Sequence, residues 1–561
     1  MEYMIFIAIV AVFLAVVFTE GVIRNKNEKQ RYRKYLEDSY GKASDISLSA
    51  DEIERIGRYD RSIADGTGFH IDDITWNDLS MDDIFTAMDT CSCMLGEEQL
   101  YHRLHTPVIK EEDEDYTHFS ELREYFEDND DERITMQEIL HGIGINRKTS
   151  ITTVFDHVNS LEGESNIAHY AIDIMMVSAI AMLFLLPGIG VIMLIAAMVV
   201  SIGSYLKMKR TLEPVTVTFN YTAKMLRAAD EVMKRPGEVL ENDKKKLEAS
   251  RSALKDIEKK SIWITSGAVS MDNPAMLILE YLKMFFHIDL IAVNKMVGLF
   301  KEKKDDVEVL RRTLGDIDAS IAAGSYRFSL SKSCDPRFLK DDERHLEIGE
   351  CIHPLIKDAV YNSIDTKGPV LLTGSNASGK STFLKTVAIC ALMGQTLGYV
   401  PAEKYTAPRF EIYTSMALSD NILNGESYFV VEIKSLKRIL DAEKDSHPIL
   451  CCIDEVLRGT NTVERVCAST KILKSLDKKL YIPFAATHDI ELTQLLKKEY
   501  TNYHFDEEVT DNDVNFNYKL KEGAASSRNA IKLLKIMGYD EDIIKEADKM
   551  VEKFMSSGRY E

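Results

Sequence analysis

Apolar residues recur three and four positions apart around Ile84, Met88, Leu95, Leu100 and Leu104, which predicts helices through residues 50–160. Within that stretch Glu111–Arg133 is strongly acidic and reads as a solvated helix face. Residues 212–325 repeat the helical pattern, with outward charge at Lys244–Lys246 and Lys301–Asp306. From about residue 350 the texture changes. Val370–Leu372, Ile449–Ile453 and Ile482–Ala486 are short unbroken apolar runs separated by helical stretches, the pattern of a mostly parallel sheet buried on both faces.

Two segments are apolar without any period. Tyr3–Thr19 is 17 residues without a charge, followed by Arg24, Lys26, Lys29, Arg31, Arg33 and Lys34. Continued to Ile23 as a helix it reaches about 30 Å, the thickness of a bilayer core. Because the positive charge follows the apolar run, the segment reads as an uncleaved anchor with its basic flank in the cytoplasm. Ile174–Leu206 is 33 residues without a charge, interrupted by Pro187-Gly188-Ile189-Gly190 and closed by Lys207, Lys209 and Arg210. It predicts a hairpin of two short spans or a re-entrant loop, turning at Pro187–Gly190. Two helical halves that pack together must share one side of the membrane, so the crossings between them must be even in number. The expectation is a multi-pass protein of the cell membrane with its C-terminal domain in the cytoplasm.

Charge narrows the partners. Sixty-nine Lys and Arg against 90 Asp and Glu leave a net charge of −21. Such a surface repels polyanions, so any DNA contact must use a local basic patch and should be weak and salt-sensitive. The 8 cysteines show no framework spacing and read as reduced thiols.

The chemistry begins at Gly374-Ser375-Asn376-Ala377-Ser378-Gly379-Lys380-Ser381, which satisfies GxxxxGK[ST] between a strand-like run and a helix-like run opening at Thr382. Its backbone N–H groups would surround the phosphates of a nucleotide such as ATP. Lys380 would neutralise the β and γ oxygens, and the Ser381 hydroxyl would enter a Mg²⁺ shell. Some 75 residues later the apolar run Pro448–Ile453 ends in Asp454 and Glu455. Asp454 suits the water shell of the Mg²⁺, and Glu455 suits a base that polarises the attacking water. Ala485-Ala486-Thr487-His488 ends another apolar run and brings His488 to the same edge, within reach of the γ-phosphate.

Taken in order, TGSNASGKSTFLKT, GESYFVVE, DEVLRGTNT and ATHDIEL resemble the ATPase domain of the MutS family, relatives of the ABC-type ATPases. Cys91–Pro107, Ile317–Arg327 and His353–Leu355 are similar to that family's helical core and lever region, and Tyr518–Gly523 with Ile531–Asp548 to its C-terminal tail. The resemblance implies that Ser427 is the signature serine reaching a partner's ATP, that the protein is a homodimer, and that Thr460 and Asn461 lie in the loop coupling two sites. Tyr361 reads either as a residue stacking on adenine or as an ordinary surface tyrosine. Leu457 stands where the family usually has Gly, and Glu426 where a basic residue is frequent before the serine. No mismatch-reading domain or Phe-x-Glu wedge is recognisable in a suitable loop, so any DNA binding is expected to be indifferent to mismatches.

The expected fold is an α/β P-loop ATPase domain joined to an all-α lever region, with an N-terminal transmembrane helix and an inserted transmembrane hairpin. Its divisions are 1–23 anchor, 24–49 basic linker, 50–170 first lever half and 171–206 hairpin, followed by 207–345 second lever half, 346–510 ATPase domain and 511–561 strand and helical tail. The expected function is a membrane-anchored MutS-like ATPase whose nucleotide cycle moves its levers, with DNA binding in a mismatch-repair-related role implied by the resemblance. The alternative is a membrane ATPase acting on a lipid or protein partner with no DNA role.

Overall fold

The computed structural model describes residues 24–557 except 25, 64–67, 148–149, 161–164, 258–280, 376–377, 417–427, 443–446, 459, 510–513, 526–530, 532–533 and 535–536. The proposed anchor at 1–23, Asn376, Ala377 and Ser427 therefore lie outside the described residues. The chain is mixed α/β and divides into two compact units.

The first unit, drawn from Met1–Asp65, Asp89–His102 and His118–Phe328, is helical. Its centre is where the helix Met94–His105 meets the helix Lys304–Ser329. A Cβ on Gly315 would lie 2.8 Å from the Leu95 carbonyl oxygen, and one on Gly96 would lie 2.3 Å from Asp318 Oδ2. Only side-chain-free positions allow this approach. Asp318 is buried and accepts from the backbone N–H groups of Ser92 (3.0 Å) and Cys93 (2.9 Å), satisfying donors just ahead of the helix. Around this crossing Leu122, Phe126, Phe219, Leu310 and Leu314 form one apolar core.

From the same unit project the helices Ile167–Leu185 and Pro187–Val232. Ile167–Leu185 and Pro187–Met208 are long and apolar enough to cross a membrane by length and composition. Phe184 and Leu185 at the tip are 85% and 75% exposed, an apolar surface of the kind that marks an interaction site. The break falls at Leu186, one residue before the expected turn. Pro187 takes the first position of the second helix, where its missing N–H costs nothing, and Gly188–Gly190 are helical. Gly190 is needed for packing: a Cβ there would lie 2.5 Å from the Leu183 backbone nitrogen. The base of the hairpin is tied by polar groups. His169 Nδ1 and His287 Nδ1 are 2.9 Å apart, and the Ser201 hydroxyl donates to the Met284 and Phe285 carbonyls.

The second unit, drawn from Gly66–Met88, Arg103–Thr117 and Ser329–Glu561, holds both sheets. Strands β1 (Arg337–Phe338), β2 (Leu346–Cys351), β3 (Asn362–Thr366) and β5 (Lys404–Ala407) form a small sheet in the order β1-β5-β2-β3. The larger sheet contains β4 (Val370–Thr373), β6 (Glu411–Ser415), β7 (Ile449–Asp454), β8 (Tyr481–Ala486), β9 (Thr501–Val509) and β10 (Val514–Glu522). Its order is β10-β9-β4-β8-β7-β6, parallel throughout except for antiparallel β10. Every residue of β4, β7 and β8 is buried, so these strands carry continuous apolar runs.

The boundary of this unit differs from the expected one. The short helices Asp73–Asp78 and Met81–Met88, expected in the first lever half, belong with the sheets. Asp78 Oδ2 accepts from Thr414 Oγ1 (2.7 Å) and Met416 N (2.9 Å), and Thr75 Oγ1 accepts from Thr414 N (3.2 Å).

Candidate functional site

The parallel register brings three strand ends level. Leu372 of β4 and Asp454 of β7 both pair with Ala486 of β8, so the residues that follow share one edge of the sheet. The carboxyl ends of parallel strands are where open α/β sheets hold ligands. Here they open on a cavity of about 700 Å³ whose wall includes Ser378–Thr382, Asp454, Glu455, Arg458 and His488.

After β4 the chain turns through Gly374 (φ +145°) and Gly379 (φ +106°) into the helix Lys380–Leu397. Both angles favour glycine. A Cβ at Gly374 would also lie 2.8 Å from the Phe505 carbonyl oxygen. Lys380 is 5% exposed and its Nζ donates to the carbonyls of Gly374 (2.9 Å) and Ser375 (2.7 Å). Burial pulls its pKa down, while Asp454, Glu455 and Glu507 oppose that shift. The Ser375 hydroxyl donates to Glu507. The Ser378 hydroxyl is buried with no hydrogen-bond partner among the described residues, which suits a donor to a bound anion.

Asp454 and Glu455 leave β7 in different directions. Asp454 Oδ2 accepts from the Ser381 hydroxyl at 2.5 Å. Two hard oxygen donors side by side, next to a lysine, fit a Mg²⁺ that keeps most of its waters. Glu455 has a left-handed backbone (φ +61°) and donates its N–H to the Ala486 carbonyl at 2.9 Å. Its carboxylate is gripped on both oxygens. Oε1 lies 2.9 Å from His488 Nε2, and Oε2 lies 2.8 Å from Arg458 Nε. The His488 hydrogen bond, ahead of the Arg458 charge, holds the Glu455 pKa below the ordinary carboxylate value. His488 Nε2 is also 3.4 Å from Lys380 Nζ, so one ring faces both groups.

Of the residues singled out in the sequence, Ser378, Gly379, Lys380, Ser381, Thr382, Asp454, Glu455 and His488 line one cavity. Tyr361 stands outside its wall. The Tyr361 hydroxyl donates to Ser331 Oγ (3.0 Å) and Lys332 Nζ sits 4.7 Å from its ring centre. Ile356, Val360, Phe505 and Tyr518 supply the cavity's apolar wall instead. Tyr518 (φ +51°) sits where the β9–β10 register shifts between Phe516 and Leu520, and its ring approaches Gly379. Asn461 acts as the cap of the helix Thr462–Leu476, accepting from Val463 N at 3.0 Å, and Thr460 Oγ1 is 3.4 Å from Glu464 Oε2. Sequence reasoning missed Arg458, whose place three residues after Glu455 was a usable signal. It also missed Phe505 and Tyr518, whose wall positions depend on strand pairing.

Residues 370–555 match the family described as MutS domain V. The chain is 30% identical over 261 residues to the DNA mismatch repair protein MutS of Thermus thermophilus, covering 45% of this chain and 31% of that protein. It is 33% identical over 220 residues to the DNA mismatch repair protein MutS of Aquifex pyrophilus, covering 37% and 25%. Against the DNA mismatch repair protein MutS of Thermotoga maritima it is 31% identical over 265 residues, covering 45% and 32%. The chain thus spans between a quarter and a third of the length of these curated relatives.

Proposed function

Because the chain belongs to the MutS family through residues 370–555, we propose that it is a membrane-held ATPase that hydrolyses ATP to ADP and phosphate. The observation that carries this reading is Glu455 at the strand edge, held between His488 and Arg458 and facing the same cavity as Lys380. ATP would lie with its phosphates along Gly374–Ser381 and its base against Ile356, Val360 and Tyr518. The backbone N–H groups opening the helix Lys380–Leu397 and the Lys380 ammonium face the phosphate charge. Ser381 and Asp454 would hold the Mg²⁺, which when bound neutralises charge on the β and γ oxygens. Glu455 accepts a hydrogen bond from a water and orients it toward the γ-phosphorus. As the water oxygen bonds to phosphorus, the bond to the β–γ bridging oxygen breaks. His488 holds Glu455 ionised and is near enough to meet the transferred group.

The finer parts of the reading have separate supports. Val430 and Ile433 on the helix Tyr428–Asp441 are large apolar side chains left exposed, which suits a homodimer contact beside Ser427. The hairpin's exposed apolar surface suits a lipid bilayer, with the sheet-bearing unit in the cytoplasm where ATP is present. DNA contact follows only from what the relatives are named for, and a charge of −21 makes it weak. The hairpin favours the second reading, an ATPase acting on a lipid or protein partner. Magnesium-dependent phosphate release by the detergent-solubilised chain tests the reaction. Retention on a DNA column that falls with salt separates the two substrate readings.

A further inference from the structure

Between β7 and the helix Thr462–Leu476 the chain turns with two described residues that are not glycine in the left-handed region. Glu455 (φ +61°) and Leu457 (φ +62°) both take left-handed backbone angles that L side chains adopt at a cost. Such a turn persists only when its surroundings hold it. Two holds are visible. The Leu457 side chain is buried in the core with Leu436, Ile439 and Leu473. Its backbone N–H donates to Glu432 Oε1 at 2.5 Å, and the next N–H, that of Arg458, donates to the same oxygen at 3.2 Å.

Glu432 is itself an unusual residue to find there. It sits in the helix Tyr428–Asp441, 3% exposed, in a chain where most carboxylates face water. Its second oxygen, Oε2, is buried with no hydrogen-bond partner among the described residues. A buried carboxylate kept for packing alone would be replaced at less cost by an apolar side chain. What it does supply is an acceptor for two consecutive backbone donors, at the turn that aims Glu455 and Arg458. Arg458 in turn holds Glu455 Oε2, so the carboxylate of Glu432 and that of Glu455 are joined through one turn and one guanidinium.

We propose that Glu432 is a positioning residue for ATP hydrolysis, setting the Glu455–Arg458 turn from the neighbouring helix. This rests on Glu455 being the base in the reaction proposed above. Because the helix Tyr428–Asp441 begins next to Ser427, Glu432 also ties the region expected to meet a partner's nucleotide to the base of its own site. A shift of that helix along its axis would move the accepting oxygen and loosen the turn.

The test uses the solubilised chain and five variants, reading kcat, KM, ATP affinity and melting temperature. Glu432→Ala should lower kcat about 10–100-fold while ATP affinity changes less than about threefold, the signature of an interaction realised in the reaction and not in binding. Glu432→Gln keeps an accepting oxygen and should recover at least tenfold of any larger loss. Glu432→Asp keeps the charge but withdraws the oxygen by about one bond length, and gives the same reading as Ala if Ala fails to fold. In a Glu455→Gln background, adding Glu432→Ala should cost no further turnover, because the residues act as a unit. Unchanged kcat in Ala and Asp would overturn the inference. So would equal losses of kcat and affinity with no recovery in Gln, or full additivity with Glu455→Gln. An inactive wild-type chain would instead refute the proposed reaction, and a normal Glu455→Gln variant would refute the base.

Discussion

His488 Nε2 lies 2.9 Å from Glu455 Oε1, although the two residues end different strands and are 33 positions apart in the chain. The β7–β8 register creates the pair by setting Asp454 opposite Ala486. His488→Ala should remove the hydrogen bond that chiefly depresses the Glu455 pKa. A hydrogen bond to a charged group contributes about 1.5–3 kcal/mol, so turnover should fall roughly 10–100-fold. The acid limb of the pH–rate profile should move up toward the ordinary carboxylate value of 4.5. Steady-state rates between pH 4 and 8 check both, and an unshifted limb would separate His488 from Glu455.

Lys380→Ala should weaken ATP binding by about 10–100-fold, because the phosphates lose a buried cation that binds through charge-assisted hydrogen bonds. Its Nζ already holds the loop carbonyls of Gly374 and Ser375, so the variant should also lower the melting temperature slightly without ATP. Calorimetric titration and thermal melts read the two effects separately.

The helical unit should lose stability as pH rises through 6. Burial raises the Asp318 pKa from 3.8 to about 6. An acid with a raised folded-state pKa contributes stability that is present in full below its unfolded value and is lost as pH rises through the folded value. Asp89, raised to about 6, and Glu97, raised to about 8, shift in the same direction by burial. Melting temperature should therefore fall between pH 5 and pH 8, and Asp318→Asn should flatten the part of the slope near pH 6. A melting temperature that rises over that interval would contradict this.

If the hairpin crosses and returns, Ser165→Cys and Lys207→Cys, exposed on either side of it, must lie in the same compartment. A membrane-impermeant thiol reagent should miss both in intact cells and label both once the cells are opened. Labelling of only one from outside would mean a single crossing.

How much of this was legible in the sequence depended on distance along the chain. The strand, glycine-rich turn and helix at 370–397 were readable because each depends on its own neighbours. The helices around Leu95 and in 304–329 followed from spacing, but their crossing at Gly96 and Gly315 did not. Periodicity placed Asp73–Met88 in the helical region, while hydrogen bonds from Thr414 and Met416 to Asp78, across more than 330 residues, place it with the sheets. Pro187–Gly190 signalled a break correctly and misplaced it by a residue, since proline opens helices as readily as it ends them. Tyr361 lost its place in the cavity to Val360 and Tyr518, for which a bulge and a strand pairing are responsible. Glu432 ends the run GESYFVVE, but its role could not be read there, because its partners are backbone N–H groups 25 and 26 residues away.

The central claim, that Glu455 drives ATP hydrolysis at this strand edge, meets its most direct test in phosphate release by the wild-type chain and by Glu455→Gln at saturating Mg-ATP. ATP affinity is measured on the same samples. The account predicts unchanged affinity and turnover lowered by about 10²–10⁴-fold, the usual contribution of a positioned base. Equal turnover in the two proteins would contradict it.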